Sequence, residues 1–170
     1  ADLASTVAPG VGRCFGNAGQ SCSAATRLLV PAERQAEAVE LARAAAATWR
    51  VGAPSDPATT MGPLVSKAQY DKVQRLIEAG IAEGATLVCG GPGRPEGLDR
   101  GYFARPTIFA GVSNDMTIAQ EEVFGPILPV HTYAAVDDAI ATINGRDRPL
   151  ALYVFTRDQG AAEDVLERTT

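Results

Sequence analysis

Thr26-Arg27-Leu28-Leu29-Val30 runs into Pro31, and beyond it Ala38, Leu41, Ala45 and Trp49 recur at spacings of three and four. The first run has the length and apolar content of a strand, and the second has the period of a helix with one inner face. Pro31 suits the opening position of that helix, where its missing N–H leaves no bond unmade. A strand feeding directly into a helix is half of a βαβ unit, and the rest of the chain repeats the rhythm. Ser66 followed by Gln69 forms a capping-box pattern, and Val73, Leu76, Ile77 and Gly80 then mark the inner face of a second helix ended by Gly84. Thr86–Val88, Thr107–Phe109 and Ile127–Tyr133 read as strands. A helix over 135–145 is expected to bury Val136, Ile140 and Ile143, with Asp137 and Asp138 at its positive end. Leu150–Phe155 is a continuous apolar run of the kind a strand covered on both faces shows. A last helix carries Ala162, Val165 and Leu166.

Upstream of the opening stretch, residues 1–20 read as a small-residue helix leading into a turn. Leu3, Val7 and Val11 repeat every four positions, with Pro9 and Gly10 as interruptions. Residues 51–63 form a loop, and 90–101, with five glycines and two prolines, form another. Strands alternating with helices imply an α/β fold built on a mostly parallel sheet flanked by helices.

The 170 residues suit one domain, 1–170, around one core. The chain opens on Ala1 rather than Met, and its last helix runs into Thr169-Thr170 with no closing signal, so both ends are expected to be cuts through a longer chain. A net charge of −5 with scattered basic residues, Arg146 and Arg148 being the nearest to a cluster, argues against a nucleic-acid partner. No apolar stretch approaches the roughly 18 residues of a membrane span, and Ala1-Asp2-Leu3-Ala4 has no signal-peptide character. Three cysteines, an odd number without framework spacing, point to a reducing compartment and a cytoplasmic location. No spacing of Cys, His and carboxylates matches a metal site, so no metal is expected. The loop over 90–101 lacks the Gly-Lys-Ser/Thr ending of a phosphate cradle and is a connector.

The chemistry concentrates in Phe15-Gly16-Asn17-Ala18-Gly19-Gln20-Ser21-Cys22. Small neighbours leave the Cys22 sulfur room to meet a carbonyl, and the adjacent backbone N–H can stabilise an oxyanion. A thiol is only a few per cent ionised at neutral pH, and no Lys or His stands near in sequence to help it. A lone cysteine in an α/β domain is more often buried and inert, and Cys14 and Cys89 are assigned to that class. His131, the sole histidine, sits in an apolar strand and reads as a core or edge residue. Glu121-Glu122 alone would be a solvated acidic pair.

The motif Phe-x-Asn-x-Gly-Gln-x-Cys resembles the active-site signature of the NAD(P)-dependent aldehyde dehydrogenases. Gly101-Tyr102-Phe103-Ala104-Arg105-Pro106-Thr107 is similar to a turn of that family, and Glu121-Glu122-Val123-Phe124-Gly125-Pro126 to its cofactor-contacting motif. Met61–Val65 and Cys89-Gly90-Gly91 are familiar there too, so the resemblance spans nearly all of the chain. It implies the thiol-bearing catalytic domain of that fold without its nucleotide-binding domain. It implies an aldehyde substrate, NAD or NADP as cofactor, and a homo-oligomer.

By the same resemblance, Cys22 attacks the aldehyde to give a thiohemiacetal, hydride leaves for the nicotinamide, and water hydrolyses the resulting thioester to the acid. Glu122 binds the nicotinamide ribose, Phe124 packs at the same end, and Gln69 and Lys72 reach toward the adenosine, Gln69 competing with its role as capping partner of Ser66. Phe15, Ser21 and Ser23 line the aldehyde channel. The general-base glutamate and the oxyanion-hole asparagine of the family are expected upstream of residue 1, a further strand and an oligomerisation arm beyond residue 170, and no turnover is expected of the isolated chain. Two other readings remain: a thiol esterase or hydrolase that uses Cys22 without cofactor, and a non-catalytic fragment. The run from Asn144 to Tyr153 departs from the mainstream pattern: Pro149-Leu150-Ala151-Leu152-Tyr153, together with Phe124-Gly125-Pro126-Ile127-Leu128-Pro129, resembles the branch acting on aromatic and long-chain aldehydes, whereas the Gly101–Thr107 turn resembles the mainstream branch, and the mixture leaves the substrate class open.

Overall fold

The computed structural model describes residues 2–145 and 150–169. Arg146–Pro149, the middle of the departing run, lie outside the described residues. A four-stranded sheet has the order β1-β4-β3-β2, from β1 (Leu28–Pro31), β2 (Thr86–Cys89), β3 (Thr107–Ala110) and β4 (Ile127–Tyr133). β1 and β3 both pair with β4 in parallel, and β2 joins the far edge antiparallel to β3. The sheet is therefore mostly parallel, and its inner strands are buried accordingly. All four residues of β3 and the first five of β4 are sealed from water.

Helices flank this sheet. α1 (Leu3–Phe15) packs on α2 (Gln35–Ala46), and both touch the strands. α3 (Lys67–Ala82) approaches β3 and the short α4 (Thr117–Gln120) closely at Gly80, where a Cβ would lie 2.9 Å from Ile118 and 3.3 Å from Phe109. α5 (Val136–Asn144) and α6 (Gln159–Arg168) follow. Ser66 caps α3 through its hydroxyl, which accepts from the Gln69 N–H at 3.2 Å, and Gly84 takes the positive φ of 93° that ends the helix.

Several details differ from the sequence expectations. α1 runs unbroken through Pro9 and Gly10. Pro31 closes β1 instead of opening the helix, a short turn over Ala32–Arg34 intervenes, and α2 starts at Gln35. The sealed face of α2 is Ala38, Ala42 and Ala46, with Leu41, Ala45 and Trp49 at its margin. Small alanines allow the close approach of α1, which pushes the bulkier residues sideways. In α5 only Ile140 is buried, and Val136 stays 47% exposed. α6 buries none of its residues.

Leu150–Phe155 is not a strand. It has no ladder partner among the described residues, and Leu150 is 72% exposed. Apolar content signals a preference for burial, whereas a strand also needs a neighbouring edge to satisfy its N–H and C=O groups.

Candidate active site

α1 delivers the chain to the site. Its inner face, Leu3, Val7, Val11, Cys14 and Phe15, is buried, and Phe15 meets Trp49 edge-on with ring centroids 6.0 Å apart. Phe15 continues the four-residue repeat of Leu3, Val7 and Val11. It is a core residue with no exposed surface, so it cannot line an open channel, contrary to its expected role.

At Gly16 the helix ends and the chain reverses hand. Asn17 (φ 53°), Ala18 (φ 55°) and Gly19 (φ 72°) are consecutive left-handed residues. That conformation costs an L-residue about 1–2 kcal/mol, asparagine being among the more tolerant types. Side chains support the turn: Asn17 Nδ2 donates to the Gln20 carbonyl at 2.9 Å, and Gln20 Nε2 donates back to the Asn17 carbonyl at 3.2 Å. Gly19 is required for a second reason. A Cβ there would stand 2.2 Å from the Gly125 carbonyl oxygen. The backbone of the thiol turn thus lies directly against the Glu121–Pro126 turn.

α3 completes the junction. Gln20 Oε1 accepts from the Val65 N–H at 2.8 Å, just ahead of the helix. Gln69, Lys72 and Arg75, spaced by three along one helix face, grip the acidic turn in succession. Gln69 Nε2 donates to the Val123 and Phe124 carbonyls at 2.9 Å each. Lys72 Nζ donates to the Glu122 carbonyl at 2.6 Å, and Arg75 pairs with the Glu121 carboxylate at 2.7 Å. The Gln69 side chain is turned to this loop, and among the described residues no bond from the Ser66 N–H to the Gln69 side-chain oxygen closes a reciprocal capping box. The heads of Gln69 and Lys72, expected to reach toward an adenosine, are turned to this backbone instead. A polar residue at every third position of α3, facing an acidic turn, is the sequence signal that could have revealed the grip.

The turn so held presents Phe124, half-buried, with φ 52°. Its two glutamates differ. Arg75 holds the Glu121 carboxyl below the usual carboxylate range, chiefly by hydrogen bonding. The exposed Glu122 carboxylate has no hydrogen bond or ion pair among the described residues, although its own carbonyl is fixed by Lys72. A carboxylate anchored at its backbone and vacant at its oxygens suits a ligand that offers hydroxyls.

The three thiols separate in the same way. Cys14 is fully buried beside the Ile127 carbonyl at 3.4 Å, and burial pushes its thiol far up from the ordinary value. Cys89 is half-buried, and burial raises it too, against opposing contributions from an Ile108 hydrogen bond and the Arg43 charge. Cys22 is exposed. Ser21 and Ser23 flank it with their hydroxyls 3.3 Å apart. His131 is 3% exposed within β4, 3.5 Å from Arg27 Nε. Two surface concavities, about 370 Å³ beside Ala8 and Trp49 and about 570 Å³ beside Cys89 and Arg105, lie away from Cys22. Both are open, and neither is lined by Cys22 or by the Glu121–Pro126 turn. Among the described residues no group of three or more His, Cys, Asp or Glu is arranged to hold a metal ion, and no helix is long and apolar enough to cross a membrane.

The family model for the aldehyde dehydrogenase family matches residues 1–170. A putative aldehyde dehydrogenase of Staphylococcus saprophyticus is 45% identical over 97% of the chain and 35% of its own length. One from Staphylococcus epidermidis is 48% identical over 88% and 31%. The chain therefore spans about a third of the length of the curated relatives it matches. Among solved structures, a cysteine-to-alanine variant of aldehyde dehydrogenase C from Pseudomonas syringae, complexed with NAD+ and octanal, superposes with a TM-score of 0.96 at 46% identity, covering 99% of this chain and 35% of that one. A Mycobacterium tuberculosis aldehyde dehydrogenase complexed with NAD+ gives 0.95 at 46% identity, with the same coverage. With its sequence matched end to end and its fold superposing on those of both enzymes, the chain belongs to the aldehyde dehydrogenase family.

Proposed function

We propose that Cys22 is the nucleophile of an NAD(P)-dependent oxidation of an aldehyde to a carboxylic acid, and that residues 1–170 are the catalytic domain of a longer chain. The observation that carries this reading is the exposed Cys22 thiol on a left-handed turn whose Gly19 abuts Gly125, next to Phe124 and three residues from Glu122. NAD+ and octanal in the Pseudomonas syringae neighbour, and NAD+ in the Mycobacterium tuberculosis one, support the cofactor and the substrate class.

The residues fit such a cofactor at one end. Glu122 has two vacant oxygens for the two hydroxyls of a nicotinamide ribose, and Phe124 offers an apolar surface beside them. Gln69 and Lys72 act as positioning residues, through the carbonyls of the turn that carries both. When bound, NAD(P)+ supplies the hydride acceptor. The chain's own part begins with the Cys22 Sγ–carbon bond, which forms as the carbonyl double bond opens and places negative charge on oxygen. In this reading the Cys22 N–H donates to that oxyanion. In the same reading Ser21 and Ser23, which flank the thiol in sequence, line the aldehyde channel. The acyl group is then held as a thioester on Cys22 until water releases the acid.

A Cys–His hydrolase is less well supported, because His131 is buried within β4. The reading carries with it a cytoplasmic, homo-oligomeric protein whose general base and second oxyanion donor come from outside residues 1–170, so the chain alone gives no NAD(P)H with an aldehyde panel. Limited iodoacetamide labelling with peptide mapping tests the nucleophile. Cys22 is expected to be alkylated well ahead of Cys14 and Cys89, and slow, equal labelling of the three overturns the reading.

A further inference from the structure

The carbonyls around Cys22 are held individually. Gln20's accepts from Asn17 Nδ2 at 2.9 Å, Ser21's from the Ala24 N–H at 3.1 Å, and Ala24's from the Thr26 N–H at 2.9 Å. These ties are local. The Ser23 carbonyl, one residue past the thiol, instead accepts from Tyr153 Oη at 2.9 Å, across 130 positions of sequence. The Tyr153 ring is itself fixed, with the Arg13 guanidinium 4.7 Å from its centroid. Arg13 stands at the end of α1, immediately before the buried Cys14 and Phe15. A cation over a tyrosine face is favourable by about 0.5–1 kcal/mol at an exposed site. Among the described residues, the non-strand run over 150–155 is tied through Tyr153 to the thiol turn and to the end of α1.

We propose that Tyr153 is a positioning residue for the nucleophile, seated by Arg13 and acting through the Ser23 carbonyl. Its hydroxyl sets the direction in which the chain leaves Cys22, and with it the aim of the thiol and the neighbouring N–H at one carbonyl group. The inference rests on the proposed role of Cys22 and names what aligns it. It also gives the unpaired apolar run a task that the sheet does not.

Two reactions of the same sulfur separate alignment from folding. Acylation by p-nitrophenyl acetate requires an aligned approach. The thiolate attacks the ester carbonyl, an S–C bond forms, the C–O bond breaks, p-nitrophenolate leaves, and the thiol proton goes to water. Alkylation by iodoacetamide displaces iodide at a saturated carbon and develops no oxyanion. With one neutral hydrogen bond removed, Tyr153→Phe is expected to slow acylation of Cys22 about fivefold, while alkylation of Cys22 stays within about twofold of the unsubstituted chain. Arg13→Gln leaves the hydroxyl but unseats the ring, and is expected to slow acylation by about twofold with the same selectivity. It carries the test if circular dichroism shows Tyr153→Phe to be unfolded.

Acylation and alkylation that are both unchanged, or that change in parallel, overturn the inference and leave Tyr153 a merely structural contact. Selective alkylation of Cys22 without any acylation of the unsubstituted chain also overturns it, and spares the nucleophile reading. Absence of selective alkylation overturns the nucleophile reading itself, and the inference falls with it.

Discussion

Cys14 and Cys22 lie eight residues apart and occupy opposite environments. Cys14 belongs to the inner face of α1, where the repeat of Leu3, Val7 and Val11 carries it into the core and burial suppresses its ionisation. Cys22 lies beyond three left-handed residues that break the helix and redirect the chain to the surface. The same chain thus makes one thiol inert and exposes another. The difference comes from backbone handedness: Cys14 stays in register with the buried face of α1, and Cys22 follows the reversal. Phe15 belongs with Cys14, and Gly19 with Cys22.

Substitutions on the two sides of this boundary should separate stability from reactivity. Phe15→Ala is expected to cost the most, about 3–5 kcal/mol in denaturant titration, because a fully buried ring is deleted from a packed core. Cys22→Ser should change stability by no more than about 0.5 kcal/mol and abolish the fast alkylation. A small loss for Phe15→Ala, accompanied by altered labelling of Cys22, would place Phe15 in the site after all. Gly19→Ala forces a Cβ against the Gly125 backbone and should cost about 1–3 kcal/mol. A stability equal to the unsubstituted protein would show that the thiol turn and the acidic turn are not in contact.

Ala18→Gly should act in the opposite direction. Relief of left-handed strain, offset by the greater entropy of glycine in the unfolded chain, leaves a net gain of about 0.5–1 kcal/mol by thermal unfolding. The smallest effect is the pH dependence of Cys14. Its folded-state thiol is raised by burial, so the associated stability is present in full below the ordinary thiol value of about 8.5 and is lost as pH climbs from there toward the raised value. Cys14→Ala should flatten that alkaline decline, and Cys22→Ser should not.

The sheet was largely legible in the sequence, because β4 and β3 are buried on both faces and read as apolar runs with defined ends. Leu150–Phe155 has the same composition and forms no strand, since composition does not report whether an edge stands alongside. The α2 face was misjudged for a related reason: Ala38, Ala42 and Ala46 gain burial from the closeness of α1, which alanine permits but does not announce. In the candidate site, Cys22, Glu122 and Phe124 are proposed through a resemblance. The reversal of hand at Asn17 and Ala18 was not legible, because alanine gives no sign of positive φ. The grip of Gln69, Lys72 and Arg75 on the acidic turn was hidden because each contact joins residues about fifty positions apart.

The most direct measurement is capture of an aldehyde by the chain. With octanal labelled with ¹³C at its carbonyl carbon, a carbon resonance of a thiohemiacetal is expected with the unsubstituted protein, to persist in Cys14→Ser and Cys89→Ser, and to vanish in Cys22→Ser. A resonance that survives Cys22→Ser, or none at all while Cys22 remains open to alkylation, would contradict the assignment of that sulfur as the nucleophile.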